Sequence, residues 1–265
     1  MSSVSQIAQQ KVNQSLADLT DPLVGEQLFA VANLLEGEKS LRRHLSDSGA
    51  PVAQRQAVAA ELLGNQISAE THEVIKTVLA QRWSNASDLI AGIEQAGALV
   101  IFASAQALGA IDVVEDEIFY FARLVDGEPQ LQMALSNSAT SSTAKSDLVT
   151  ELLKGKANSA TVSVLVQFTS HPRGRRVGLA LDELSGLAAG RRGLIVATVT
   201  SAVELSQDQQ TRISGALSKI YNREILVDVA IDSQVIGGIS INVAGEVIDG
   251  TIASRLEQAR RHLMA

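Results

Sequence analysis

The chain has 265 residues, of which 46% are apolar and 19% are charged, and its formal net charge at pH 7 is −7. This composition is too apolar for a disordered chain, and the length is sufficient for two or three compact units. The absence of cysteine excludes disulfide bonds, cysteine-ligated zinc, thiol nucleophiles and iron–sulfur clusters. Because the net charge is acidic, long-range electrostatics does not favour binding to nucleic acid or to an anionic membrane.

The N-terminus and the most apolar stretch bear on membrane insertion. The first ten residues lack the apolar core of a signal peptide, so we do not expect secretion by that route. The stretch most similar to a membrane span runs from residue 96 to residue 111, which is shorter than the ~20 residues that cross a bilayer. Ser104 and Gln106 interrupt it. Its alanine and glycine content predicts a helix that packs closely within a soluble bundle.

The sequence matches itself at a constant offset. The tripeptide Glu-Leu-Leu at residues 61–63 recurs at residues 151–153, an offset of 151 − 61 = 90 residues. The same offset pairs Gly37 with Gly127 and continues over roughly 65 residues without a gap. We interpret residues 1–95 and 96–190 as two copies of one domain.

Apolar residues in each copy fall at helical spacing. The clearest examples are Val74, Ile75 and Val78 in the first copy and Val164, Leu165 and Phe168 in the second. Gly37 and Gly127 stand where a glycine is expected just past a helix. Each copy is therefore predicted to be a helical bundle.

After residue 190 the apolar pattern changes to a period of two. We expect strands at residues 193–203, 225–231 and 239–243, with a helix after the capping box at residues 206–209. A final helix is predicted to carry Ile252, Leu256, Ala259 and Leu263 on one side. The predicted fold class is thus α + α/β: two tandem helical bundles followed by a small mixed α/β domain at residues 191–265.

No motif for chemistry emerges. The histidines His44, His72, His171 and His262 have no spacing that places two metal ligands on one helix face. The sequence around Gly155 lacks the pattern of a phosphate-binding loop, and the glycines at residues 186–193 lack that of a dinucleotide site. We therefore predict no catalytic residue, cofactor or metal site. The sequence favours a protein that binds other chains.

Clustered arginines leave one alternative open. Arg173, Arg175, Arg176 and the pair at residues 191–192 are consistent either with a solvated loop or with contacts to phosphates. An RNA-binding helical adaptor is therefore the second hypothesis. It predicts an affinity that falls steeply with salt, although the acidic net charge and the 3% aromatic content argue against it.

The segment from residue 229 to residue 256 carries a specific series of motifs. In order, it contains a strand, Asp232, the pair Gly237-Gly238, a second strand, a turn, the segment Val-Ile-Asp-Gly-Thr at residues 247–251 and Arg255-Leu256. Two glycines free the backbone for a sharp entry into a strand. This series resembles the C-terminal signature of the ATP synthase delta subunit family, called OSCP in mitochondria.

Two further segments extend the resemblance. Residues 197–206 resemble the first strand of the family's C-terminal domain, and residues 99–109 resemble the first helix of its N-terminal bundle. The likeness covers about residues 96–265, whereas residues 1–95 are additional, as in actinobacterial members. Residues 171–173, His-Pro-Arg, replace the Asn-Gly-Arg that is common in the family, and Ala244-Gly245 departs from it in a hairpin.

The resemblance implies a non-catalytic subunit of the peripheral stalk of an F-type ATP synthase. Such a subunit joins the α and β subunits of the F1 head to the b subunits of the membrane sector and resists rotational torque. It is a peripheral protein at the cytoplasmic face of the cell membrane and needs no cofactor.

The resemblance also implies two partner-binding regions. A groove for the N-terminal helix of an α subunit is expected at Leu99, Phe102, Ala105, Val162, Leu165 and Phe168. Contacts with the b subunits are expected at Ile252, Leu256, Ala259 and Leu263. For any single one of these residues, packing in a core is the competing interpretation. The first bundle copy is expected either to offer a second groove or to act as a stiff spacer.

Overall fold

A computed structural model describes residues 2–16, 19–191, 195–203, 205–221, 225–231, 235, 237–243 and 246–249. The chain divides into two compact units, Met1–Arg191 and Arg192–Ala265. The first unit is helical, and the second contains a sheet and a helix. This agrees with the predicted fold class at the level of a helical part followed by a small α/β part.

The first unit consists of helices joined by short turns. They are α1 Ser3–Ser15, α2 Pro22–Gly37, α3 Lys39–Ser46, α4 Val52–Leu63, α5 Ala69–Ala80, α6 Ala86–Ala107, α7 Ile111–Gly127, α8 Pro129–Ser136, α9 Ser142–Leu153, α10 Ser159–Ser170 and α11 Val177–Arg191. The helices α2 and α7 end at the two glycines that the sequence marked. Ser68 and Asn158 are the N-cap residues of α5 and α10. Their side chains accept hydrogen bonds from backbone N–H groups in the first turns of these helices.

The helix bounds repeat along the first unit. The helices α3, α4 and α5 recur 90 residues later as α8, α9 and α10 with the same lengths. The counterpart of α1 at this offset is residues 93–105, which lie inside α6. Helix α6 therefore serves both parts of the unit. We call α1 to α5 with residues 86–96 the first half, and residues 97–107 with α7 to α11 the second half.

The core reflects this shared helix. Ile93 and Val100 belong to an apolar cluster built mainly from the first half, whereas Ile101 and Phe102 belong to a cluster built mainly from the second. The boundary predicted between residues 95 and 96 falls inside a continuous helix. The physical reason is that neighbouring residues of α6 face opposite cores, so the chain needs no break there.

The helices α2 and α6 cross at very short range. A Cβ atom on Gly97 would lie 2.7 Å from Cε1 of Phe29 and 2.9 Å from the carbonyl oxygen of Gly25. A Cβ atom on Gly25 would lie 2.7 Å from Cγ1 of Ile101. Only glycine fits at both positions, so this pair sets the distance between the two helices.

Helix α6 is also the candidate for a membrane span among the described residues, by length and composition. However, 67% of its most apolar window is buried inside the protein, as in the central helix of a soluble bundle. This agrees with the packed helix predicted from its alanine and glycine content.

The second unit is a four-stranded sheet with one described helix. Its elements are β1 Ile195–Ser201, α12 Gln207–Tyr221, β2 Ile225–Ile231, β3 Ile239–Val243 and β4 Glu246–Asp249. The strand order is β2-β1-β3-β4, with β1 parallel to β2 and the other pairs antiparallel. Ala197, Leu217, Ile225 and Val243 form its core.

Two local predictions for the second unit are confirmed. The backbone N–H of Ser206 donates to Oε1 of Gln209 at 2.8 Å, and the N–H of Gln209 donates to Oγ of Ser206 at 3.4 Å, which is the predicted capping box. Gly237 and Gly238 have φ angles of 65° and 82°, so their positions require the freedom of glycine. The predicted final helix lies outside the described residues.

We expect Gly97→Ala to destabilise the first unit, because the added methyl group meets a backbone oxygen that cannot move aside. The expected loss is about 2 kcal/mol of unfolding free energy, measured by chemical denaturation.

The matched control is Gly186→Ala in α11. A Cβ atom there meets nothing within 4 Å. This change should be neutral or stabilise by up to about 1 kcal/mol, since alanine favours helix. Equal effects of the two substitutions would show that the close crossing is not a constraint.

Candidate functional site

The six residues predicted to form a partner groove lie on α6 and α10, but at different depths. Phe102, Ala105, Leu165 and Phe168 are buried in the core of the second half. Leu99 is half-buried and packs against the core of the first half. Val162 is half-buried at the surface of α10. Their assignment to a partner therefore stays a prediction, and only Leu99 and Val162 among the six are not fully buried.

The surface along α6 and α10 contains two depressions. One of about 540 Å³ is lined by Val162, Val166 and Gln167 of α10 together with Glu26 and Phe29 of α2. The other, of about 180 Å³, is lined by residues of α6 that include Ala105, by the start of α10 and again by Glu26. Helix α2 of the first half is thus a third wall, which the sequence repeat did not reveal.

A third depression, of about 500 Å³, lies in the first half between α2, α3 and α4. Its apolar lining is Leu34, Leu41, Val58 and Leu62. Leu34 and Leu62 are exposed to solvent. An apolar groove of this kind suits the apolar face of a helix. The first half therefore carries a groove of its own.

A cluster of charges joins the two halves. Glu94 of α6 is only 1% exposed, and it accepts hydrogen bonds from Nη1 of Arg173, from Nη2 of Arg175 at 2.6 Å and from Nε2 of Gln167 at 3.0 Å. Arg173 also donates to Oδ1 of Asn33 at 2.7 Å. Since Asn33 lies on α2, the cluster ties that helix to the loop between α10 and α11.

Further carboxylates complete the pairing. Oε2 of Glu36 lies 3.2 Å from Nε of Arg173, and Oε2 of Glu183 accepts from Nη1 of Arg175 at 2.6 Å. Burial lowers the pKa of Arg173 to about 10, an effect that Glu36 opposes and Arg175 increases. The guanidinium therefore remains charged at neutral pH. Arg173 has a positive φ of 51°, which places its side chain in the cluster at some backbone cost.

These contacts contradict the hypothesis of an arginine loop that binds RNA. Arg173 and Arg175 point at carboxylates of this chain and are largely buried, whereas a phosphate-binding loop needs its cations in solvent. Arg176 is exposed. Glu94 was not singled out from the sequence, although a signal existed: it is the one charged residue between Leu89 and Ala105. A lone charge in an apolar helix indicates a buried pair.

Other predicted positions are described in part. Ile252, Leu256, Ala259 and Leu263, expected to contact the b subunits, lie outside the described residues, as do Arg192 and His262. Among the described residues there is no group of three or more His, Asp or Glu side chains that could hold a metal ion. Nε2 of His72 lies 2.8 Å from the carbonyl oxygen of Gly64, and Nδ1 of His171 lies 3.6 Å from Oε2 of Glu36.

We expect Glu94→Gln to lower the unfolding free energy by about 3 kcal/mol, because it leaves buried arginines short of a counter-charge without changing the side-chain shape. Thermal or urea unfolding of the full chain measures this loss.

Glu183→Gln provides the control, since its carboxylate pairs with the same Arg175 but is exposed. That substitution should cost less than about 1 kcal/mol. A loss for Glu94→Gln as small as that for Glu183→Gln would mean that the cluster does not hold the halves together.

Comparisons with known proteins cover both units. A family model described as ATP synthase delta (OSCP) subunit matches residues 93–263. The ATP synthase subunit delta of Streptomyces griseus is 39% identical over 269 residues, which cover 99% of each chain. That of Thermobifida fusca is 37% identical over 96% of this chain and 94% of its own. These relatives match the first 90 residues as well, so they share the additional N-terminal part.

A chain of the cryo-EM structure of the Toxoplasma gondii mitochondrial ATP synthase hexamer is also similar. It is 16% identical, covers 63% of this chain and 95% of its own, and has a TM-score of 0.47. The predicted resemblance to an actinobacterial, N-terminally extended form is confirmed by the sequence relatives. The chain belongs to the ATP synthase delta (OSCP) subunit family.

Proposed function

We propose that this protein is a non-catalytic subunit of the peripheral stalk of an F-type ATP synthase. It links the α and β subunits of the F1 head to the b subunits and resists rotational torque during proton-driven ATP synthesis. The observation that carries the proposal is the match to proteins named ATP synthase subunit delta over nearly the whole chain. The protein is then held at the cytoplasmic face of the membrane through its partners.

A stalk subunit has a mechanical role. The head must stay still while the central shaft turns, so the connector must not bend where its parts join. The helical unit has three features that support such stiffness, namely the continuous helix α6, the close crossing at Gly25 and Gly97, and the buried pairs of Glu94. A packed interior transmits strain because it has little free volume.

The helical unit is proposed to have arisen by tandem duplication. Besides the equal helix lengths, equivalent hydrogen bonds support this origin. Oε1 of Gln27 accepts from the N–H of Ser68 at 2.8 Å and from Oγ1 of Thr71 at 2.7 Å. The same contacts occur 90 residues later at Glu117, Asn158 and Thr161. Such matching polar detail is not needed for two unrelated bundles.

The N-terminal helix of an α subunit is proposed to bind along α6 and α10. Val162 and Ala105 line the depressions there, and the buried Phe102, Leu165 and Phe168 form the core beneath. Helix α2 narrows this surface. The groove of the first half, lined by Leu34 and Leu62, is the competing position. The b subunits are proposed to bind at Ile252, Leu256, Ala259 and Leu263.

Affinity purification from solubilised membranes tests the proposed function. The tagged full-length chain should co-purify with α, β and b subunits, and membranes lacking the chain should lose ATP-driven proton pumping while the detached head still hydrolyses ATP. Co-purification of RNA without these subunits, or normal coupling without the chain, would refute the proposal.

Two single substitutions decide between the grooves for the α subunit. Val162→Glu should weaken binding of a synthetic peptide of the α N-terminal helix about tenfold or more, because a charge is placed in an apolar contact. Isothermal calorimetry with the full chain measures the affinity. Leu62→Glu is the matched control in the first half and should leave it unchanged. The reverse result would move the α site to the first half.

A further inference from the structure

The outer face of α7 carries aromatic side chains that the described residues of the first unit leave exposed. Phe119 is 51% exposed and Tyr120 is 69% exposed. Their rings meet edge to face, with centroids 5.9 Å apart and an interplanar angle of 71°. The guanidinium of Arg123 lies 5.5 Å from the centroid of the Phe119 ring. We call these three residues the α7 face. Aromatic and arginine side chains of this kind are enriched at the centres of protein interfaces.

The internal repeat indicates what covers such a face. At the offset of 90 residues, Phe119 and Arg123 correspond to Phe29 and Asn33 of α2. Phe29 is only 5% exposed, and its ring lies against Gly97 of α6. Oδ1 of Asn33 accepts hydrogen bonds from α10 and from the loop that follows it. In the first half, therefore, the counterparts of Phe119 and Arg123 are covered by α6, α10 and the loop that follows α10, whereas Ala30, the counterpart of Tyr120, is exposed.

The second half differs from the first at the positions that cover Phe29 and Asn33. Helix α6 does not end with residue 96, the last residue of the first half, but continues to Ala107. Its residues 97–107 pack across α2. Helix α11, the counterpart of α6, ends at Arg191. The position that corresponds to Gly97 is Leu187, which packs against the core of the second half. Helix α11 packs against α7, but it has a leucine where α6 has the glycine that receives the ring of Phe29. The first unit has no described helix after α11 to take the place of α10.

We propose that the α7 face is a docking surface for a helix of another subunit of the ATP synthase. That helix presents a glycine or alanine to the ring of Phe119, as Gly97 does to Phe29, and a carboxylate to Arg123. The small residue lets the ring of Phe119 approach the backbone of the partner helix. The carboxylate pairs with the positive charge of Arg123, which stands where the first half has the neutral Asn33. The inference rests on the proposed function, because that function supplies the assembly in which a partner helix is present.

A second copy of this chain does not fit the same requirements. Its own Gly97 is already covered by α2. The equivalent surface of its first half, on α1 and α5, has Ile7 at the position of Gly97. An isoleucine side chain would fill the space that the ring needs. The structure therefore favours a different protein as the occupant.

Photo-crosslinking in the assembled enzyme tests the proposal. Phe119 is replaced by p-benzoylphenylalanine in the full-length chain, and the whole ATP synthase is purified and irradiated. We expect a cross-link to another subunit, with the linked peptide helical in sequence pattern and containing a small residue at the site of attachment. The control carries the same photo-reactive residue at Val52, an exposed position at the start of α4 in the first half, and should give no such product.

Affinity provides the second measurement. The double variant Phe119→Ser, Arg123→Glu should bind a complex depleted of this subunit about tenfold more weakly than the wild-type chain, since it removes both anchors. Val52→Ser should bind as wild type. All variants should keep the wild-type melting temperature, because the replaced side chains are exposed.

The outcomes separate this inference from the function on which it rests. If the wild-type chain assembles but position 119 cross-links only to a second copy or to residues 192–265 of the same chain, the proposal is wrong. It is equally wrong if no cross-link forms or if the double variant binds with unchanged affinity. If the wild-type chain itself does not assemble with the ATP synthase, both the inference and the proposed function fail.

Discussion

Helix α6 is buried on nearly all sides between Leu89 and Ala105, and most features of the helical unit follow from this. A helix in such a position has no solvent face, so it cannot show the one-sided apolar stripe of a surface helix. Its small residues, Gly97 above all, allow neighbouring helices to approach. Its one charged side chain in that stretch, Glu94, has to find partners inside the protein because an unpaired buried charge is very costly.

The same constraint connects the two halves. One helix completes the first bundle with its N-terminal part and begins the second with its C-terminal part. A hinge between the halves would require α6 to break, and α2 crosses it at the point where a break would be expected. The arginines of the loop before α11, in the second half, pair with Glu94 and with residues of α2, so that loop is tied to the first half. The result suits a subunit that transmits force without bending.

The charge cluster also changes the interpretation of the basic loop. In the sequence, Arg173, Arg175 and Arg176 form a cluster of positive charge. In the folded chain, Arg173 and Arg175 are paired with Glu94, Glu36 and Glu183. The described surfaces that we assign to partners include apolar or aromatic side chains: the depressions beside Val162, the leucine groove of the first half and the face of α7. Such surfaces fit protein partners better than nucleic acid.

Much of this protein followed from its sequence alone. The offset of 90 residues, the helical spacing of apolar residues and the change of period after residue 190 predicted a helical part and a small α/β part. Local motifs such as the capping box at residues 206–209 and the pair Gly237-Gly238 were predictable because they depend on neighbouring residues only. The tertiary structure decided the rest: that one helix serves both halves, that Glu94 pairs with arginines about 80 residues away, and that Phe29 is covered while Phe119 is open. These depend on contacts between distant parts of the chain, and repeats with similar sequences have different neighbours at the two ends of an array.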